Sequence, residues 1–146
     1  MPSSTVPSST APSSTVPTVS DPIDTAALVS RYLATISTGT AAEIAELYAP
    51  DARLEDPVGS EPRIGRPAIE EFYRGLDGTD STAELLVVRA VGGQAAFHFR
   101  VTTRLPGRTI VVEPIDVMTF DDSGLITSMR AFWTPADMTV QVSAST

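Results

Sequence analysis

The sequence predicts an α+β domain, three helices laid on one face of a curved, mostly antiparallel sheet. Three observations point to it. Between Asp21 and Tyr73 apolar residues recur at helical spacing behind capping signals, and from Thr82 to Trp133 the pattern turns β-like, broken by GlyGly, ProGly and AspAspSerGly. The stretch Thr109–Phe120 is apolar on both faces, so helices can cover only one of them. The other face is expected to meet a second copy of the chain in a twofold homodimer.

Taken in order, the first twenty residues repeat Pro-Ser-Ser-Thr-x with period five. Proline and small polar residues cannot bury enough apolar surface to fold, so residues 1–20 are expected to be a disordered tail and 21–146 the domain. The tail has neither the basic start nor the apolar run of a secretion signal, and a cytoplasmic protein is expected. No later stretch is long and apolar enough to span a membrane.

Asp21 or Asp24 can cap a first helix bearing Leu28, Val29, Tyr32, Leu33 and Ile36, with Gly39 as its stop. Thr40 to Glu43 reads as a capping box for a second helix carrying Ile44, Leu47 and Tyr48. Ala52–Asp56 alternates as a short strand would, closed by Pro57, and Pro67 opens a third helix bearing Ile69, Phe72 and Tyr73. The remaining strands are Thr82–Val91, Ala95–Arg104, Thr109–Phe120 and Leu125–Trp133.

Composition narrows the chemistry. At 146 residues, 42% hydrophobic, the chain makes one domain with a sizeable core. A net charge of -8 argues against nucleic acid and anionic membranes as partners, and favours a neutral or apolar ligand. With no cysteine and no lysine, thiol nucleophiles, disulfides and Schiff bases are excluded. His98 is the only histidine, too little for a zinc or iron site. Acid and base work falls to Asp, Glu and Tyr.

Two acids stand out. Asp56 precedes a proline, which holds it extended and facing the same way as Leu54 and Ala52. On spacing alone an Asp-Pro pair simply starts a turn. Asp116 lies in a strand on the same face as Val112, Met118 and Phe120, where a core or an apolar pocket belongs. It either reaches a sheet edge or a buried arginine, or it stays protonated. Without a cation, holding it neutral at pH 7 costs about 4 kcal/mol at roughly 1.36 kcal/mol per unit above a reference near 3.9. Burying it ionised and unpaired costs more. A neutral acid in a dry pocket is a hydrogen-bond donor, which a carbanion-forming reaction needs.

An apolar cleft is also legible. Phe97, Phe99 and Val101 alternate with His98 and Arg100, and Met129, Ala131 and Trp133 alternate with Arg130 and Phe132. Phe72 and Ile36 add apolar surface from the helices, although for any one of these residues a plain core position is the more common case. His98 lies on the polar face of its strand.

The segments LEDPVGSEPR (Leu54–Arg63), EEFYR (Glu70–Arg74), VVEPIDVMTF (Val111–Phe120) and SMRAFW (Ser128–Trp133) resemble, in order, those of bacterial steroid delta-isomerases, the ketosteroid isomerases. The likeness runs from about Ala26 to Val142. It implies a cone-shaped α+β domain that dimerises through its sheet, needs no cofactor or metal, and acts on a steroid. By position, Asp56 resembles that family's general base and Tyr32 its oxyanion-hole tyrosine. Asp116 resembles the protonated aspartic acid beside it, the family being a standard example of that arrangement. Tyr73 and Tyr48 resemble two further tyrosines hydrogen-bonded behind the first, which places the three tyrosines on three helices. Trp133 resembles a pocket residue near the base. His98, Arg100, Glu113 and the segment GLDGTDST at 75–82, near the cleft entrance, depart from the pattern, which leaves the choice of steroid open.

The same cone fold carries dehydratases, cyclases, epoxide hydrolases and inactive binders of hydrophobic ligands. An epoxide hydrolase of this type needs an Asp-Arg-Asp relay, so the position of Arg100 and Arg104 discriminates. A carrier needs no ionised Asp56.

Overall fold

In the computed structural model, residues 24–143 are described; the repeat tail and Asp21 lie outside them. Helix α1 spans Thr25–Thr38, α2 Ala41–Ala45 and α3 Arg66–Tyr73. The strands are β1 (Tyr48–Glu55), β2 (Arg63–Ile64), β3 (Asp80–Val91), β4 (Gln94–Leu105), β5 (Arg108–Val112), β6 (Ile115–Phe120), β7 (Ile126–Phe132) and β8 (Met138–Val142).

Helix α1 begins where Asp24 Oδ1 accepts from Ala27 N, and it buries Val29, Tyr32, Leu33 and Ile36 along one stripe. It stops at Gly39 for a reason other than a left-handed turn. Gly39 has φ -93°, and a Cβ there would lie 2.8 Å from the Thr35 carbonyl oxygen, so the glycine permits a close approach. The Thr40–Glu43 capping box forms with both of its hydrogen bonds.

Tyr48 is a correction: it belongs to β1, not to α2. The helix lasts only five residues, because the Leu47 carbonyl accepts from Ile126 N and the chain enters a parallel pairing with β7. The three tyrosines therefore sit on α1, β1 and α3. A second correction is the run Thr109–Phe120, which is two strands. Pro114 has no N–H to give to the ladder, and β5 and β6 lie end to end along one edge of β4, pairing Val101–Leu105 and Gln94–His98 respectively.

The sheet runs in the order β2-β1-β7-β6-β4-β5-β8, with β3 on the free edge of β4. All pairings are antiparallel except β1 with β7. The helices cover one face, and the core between them and the sheet is filled by Val29, Ile44, Leu54, Ile69, Phe97, Met118, Ile126 and Met129 among others. On the opposite face Val87, His98, Ile115 and Phe132 form one row across β3, β4, β6 and β7. Ile115 is 47% exposed and Phe132 40% exposed.

Candidate active site

A cavity of about 310 Å³ opens between the helices and the concave face of the sheet. Tyr32 reaches it from α1, Tyr73 from α3, Asp56 from just beyond the end of β1, Asp116 from β6 and Trp133 from just beyond β7. Those are its polar groups. The rest of its wall is Ile36, Phe72, Leu76, Phe99, Val101, Val112, Pro114 and Met138, with Gly75. A larger depression of about 690 Å³ lies by Asp24, Gly92 and Asp121, where the described chain begins, and holds none of these groups.

Three of the expected wall residues lie away from the cavity. Phe97, Met129 and Ala131 are buried on the right side of the sheet but lie in the core rather than on the cavity. Phe97 instead packs edge-on against the Tyr32 ring, centroids 6.3 Å apart. Trp133, Phe99, Val101, Phe72 and Ile36 do line the cavity. Val112, Met138 and Leu76 complete it, Val101, Val112 and Met138 being one cross-strand row over β4, β5 and β8.

The phenols form a chain. Tyr48 Oη and Tyr73 Oη are 2.7 Å apart, and Tyr73 Oη and Tyr32 Oη 2.8 Å. Tyr48 is wholly buried at the closed end and Tyr32 stands at the cavity end. Burial first, with the neighbouring Tyr48 phenol and the Asp116 carboxyl behind it, pushes the Tyr32 pKa well above the ordinary tyrosine range. Burial does the same to Tyr48 and Tyr73. Each phenol thus keeps its proton, and in the direction Tyr48 to Tyr73 to Tyr32 the chain leaves the Tyr32 O–H free to donate into the cavity.

The two acids live differently. Asp116 is 1% exposed and lies between the β4 residue Phe97 and the β7 residue Ala131. Its Oδ1 is buried with no hydrogen-bond partner among the described residues. Burial, with the Asp56 carboxylate second, raises its pKa well above the carboxylate range. Asp56 is only half-buried and its Oδ1 accepts from Trp133 Nε1 at 2.7 Å. Burial raises its pKa, and the indole hydrogen bond acts against the rise. Burial thus pushes both acids upward, Asp116 well above the carboxylate range, and only Asp56 has an indole hydrogen bond opposing the rise.

The sign of the stability consequence follows. Because the folded pKa of Asp116 exceeds the unfolded one, its contribution is fully present below the unfolded value of 3.8 and is lost as pH rises towards the folded value. Asn at this position does not titrate. The stability margin of Asp116→Asn over the parent should grow by about 1.4 kcal/mol per pH unit above 3.8, for as long as folded Asp116 holds a proton that the unfolded chain has lost. Urea unfolding of both proteins from pH 5 to 7 measures it; parallel curves would mean that Asp116 is ionised.

Helices packed on one face of a large, mostly antiparallel sheet are the architecture of a SnoaL-like domain, and the model of that family matches residues 29–129. A steroid delta-isomerase of Nocardioides simplex is 62% identical over 114 residues, spanning 78% of this chain and 93% of that protein. The chain belongs to the steroid delta-isomerase family. More distant is the epoxide hydrolase LasB of Streptomyces lasalocidi, 30% identical over 119 residues, 73% of this chain and 40% of that protein. The solved structure of SalBIII, an epoxide hydrolase/cyclase-like enzyme of pyran ring formation in salinomycin, superposes with a TM-score of 0.74 at 27% identity, over 80% of this chain and 95% of that one.

Proposed function

We propose that this isomerase moves the ring double bond of a 3-oxo-5-ene steroid to the 4-ene position by proton transfer within the substrate. Asp56 takes a proton from carbon 4, and the electron pair left behind forms a bond between carbons 3 and 4 as the carbonyl pair moves to oxygen, giving a dienolate conjugated with the 5,6 double bond. Tyr32 and Asp116 donate to its oxygen, and Asp56 returns the same proton at carbon 6. Atoms and charge balance with no cofactor. Tyr73 and Tyr48 back the Tyr32 hydroxyl, while Trp133 orients the Asp56 carboxylate.

The observation that carries this reading is the unlike state of two carboxyls in one apolar cavity, one bonded to an indole and the other with an unpartnered oxygen. A carboxylate is a weak base for a carbon acid, so the enolate must be stabilised as it forms. The epoxide hydrolase reading is disfavoured because no arginine lines the cavity; Arg100 and Arg104 turn outward to Glu113, Glu84 and Asp80. Mixing the enzyme with a 3-oxo-5-ene steroid should produce the ultraviolet band of the conjugated enone within many turnovers. Tight retention of the steroid with no such band would replace the isomerase by a carrier.

The row Val87, His98, Ile115 and Phe132, exposed at all but the half-buried His98, supports a homodimer built through that face. Sedimentation should give twice the 15.4 kDa chain mass. A monomer at micromolar concentration would leave this row without a cover.

A further inference from the structure

Arg66, the first residue of α3, is half-buried and makes no ion pair among the described residues. Its guanidinium is spent on a backbone atom: Nε donates to the Tyr48 carbonyl at 3.1 Å and Nη2 to the same oxygen at 2.6 Å. The reason lies in the sheet. The Leu47 carbonyl faces β7, where Ile126 N donates to it, so alternation turns the Tyr48 carbonyl to the other edge of β1. There β2 pairs only with Arg53 and Leu54, and the Tyr48 carbonyl lies beyond its reach. A buried carbonyl needs a donor, and Arg66 supplies a fork of two.

Tyr73 lies two turns further along the same helix, and its hydroxyl is 2.7 Å from the Tyr48 phenol oxygen. Helix α3 therefore grips Tyr48 at both ends, its carbonyl by Arg66 and its phenol by Tyr73. We infer that Arg66 is a positioning residue for the tyrosine hydroxyl chain, fixing the height of α3 over β1 and with it the Tyr48–Tyr73–Tyr32 spacing behind the oxyanion. It touches no substrate. The inference extends the isomerase reading and rests on it for its kinetic arm alone.

The test compares Arg66→Met, which keeps the stem and removes all donors, in the full chain and in a Tyr73→Phe background. In the full chain kcat should fall about tenfold with KM within about twofold, since a small misplacement behind the reacting group acts on the transition state. In Tyr73→Phe, where the chain is already cut, the added loss should shrink below about twofold. The hydroxyl-proton NMR resonances of Tyr48 and Tyr73 in the unliganded protein should move upfield, and Arg66→Lys, which keeps one donor, should recover part of both effects. Equal losses in the two backgrounds, or hydroxyl resonances that do not move, would reduce Arg66 to a structural prop and overturn the inference. The resonances are read without substrate, so they decide the matter even if the ketosteroid is not turned over. Should Arg66→Met fail to fold, Arg66→Leu, which also lacks every donor, carries the same comparison.

Discussion

Asp56→Asn should lower kcat by about 10³-fold, equivalent to roughly 4 kcal/mol of barrier, with KM changed little. The substitution is nearly isosteric, and an amide oxygen can still accept from Trp133 Nε1, which now lies 2.7 Å from Asp56 Oδ1. The side chain therefore keeps its pose and loses only its capacity to take a proton. Since burial raises the pKa of Asp56 above 3.8, the parent enzyme should also lose kcat/KM as pH falls through that raised value, one proton per active site. The acid limb should vanish in Asp56→Asn, whose residual rate comes from the oxyanion donors. Enone formation against pH in both proteins reads the two effects together. A variant as active as its parent would remove Asp56 from the chemistry.

Much of this site was legible in residue spacing, and what was not has identifiable physical causes. Period-two alternation placed Asp116 on the apolar face, and the break at Pro114 did not flip that face, since Val112 and Asp116 both line the cavity. Helical spacing likewise brought Tyr32 and Ile36 to the inner side of α1. Alternation reports which side of a sheet a residue faces but not how far along the strand the helices cease to cover it. That is why Phe97, Met129 and Ala131 were expected on the cavity and lie in the core. Ile44, Leu47 and Tyr48 have the i, i+3, i+4 spacing of a helix, and pairing with a strand distant in sequence overrode it. Strand β8 is exposed along its whole length and carries no burial pattern, so Met138 gave no signal as a wall residue. The Arg66 bond to Tyr48 joins a side chain to a backbone carbonyl 18 positions away, which no residue pattern encodes.

The oxyanion donors should rank by what stands behind each. Asp116→Leu should cost about 10²–10³-fold in kcat, the usual value of one preorganised donor, because no other described group reaches the place of its unpartnered oxygen. Asp116→Asn keeps an N–H donor in that place and should stay within about tenfold of the parent. Tyr32→Phe should fall between them, about 10–100-fold. The phenol lost there leaves Tyr73, itself on the cavity wall, without its acceptor at 2.8 Å, and that hydroxyl is free to turn towards the substrate oxygen. The partial rescue should disappear in Tyr32→Phe/Tyr73→Phe, bringing the loss up to that of Asp116→Leu. The chain of phenols would then be both a support for Tyr32 and a reserve of one donor. Stopped-flow enone assays on the four variants measure the order. An Asp116→Leu enzyme with parental kcat would show that the buried acid takes no part in holding the dienolate, whatever its protonation.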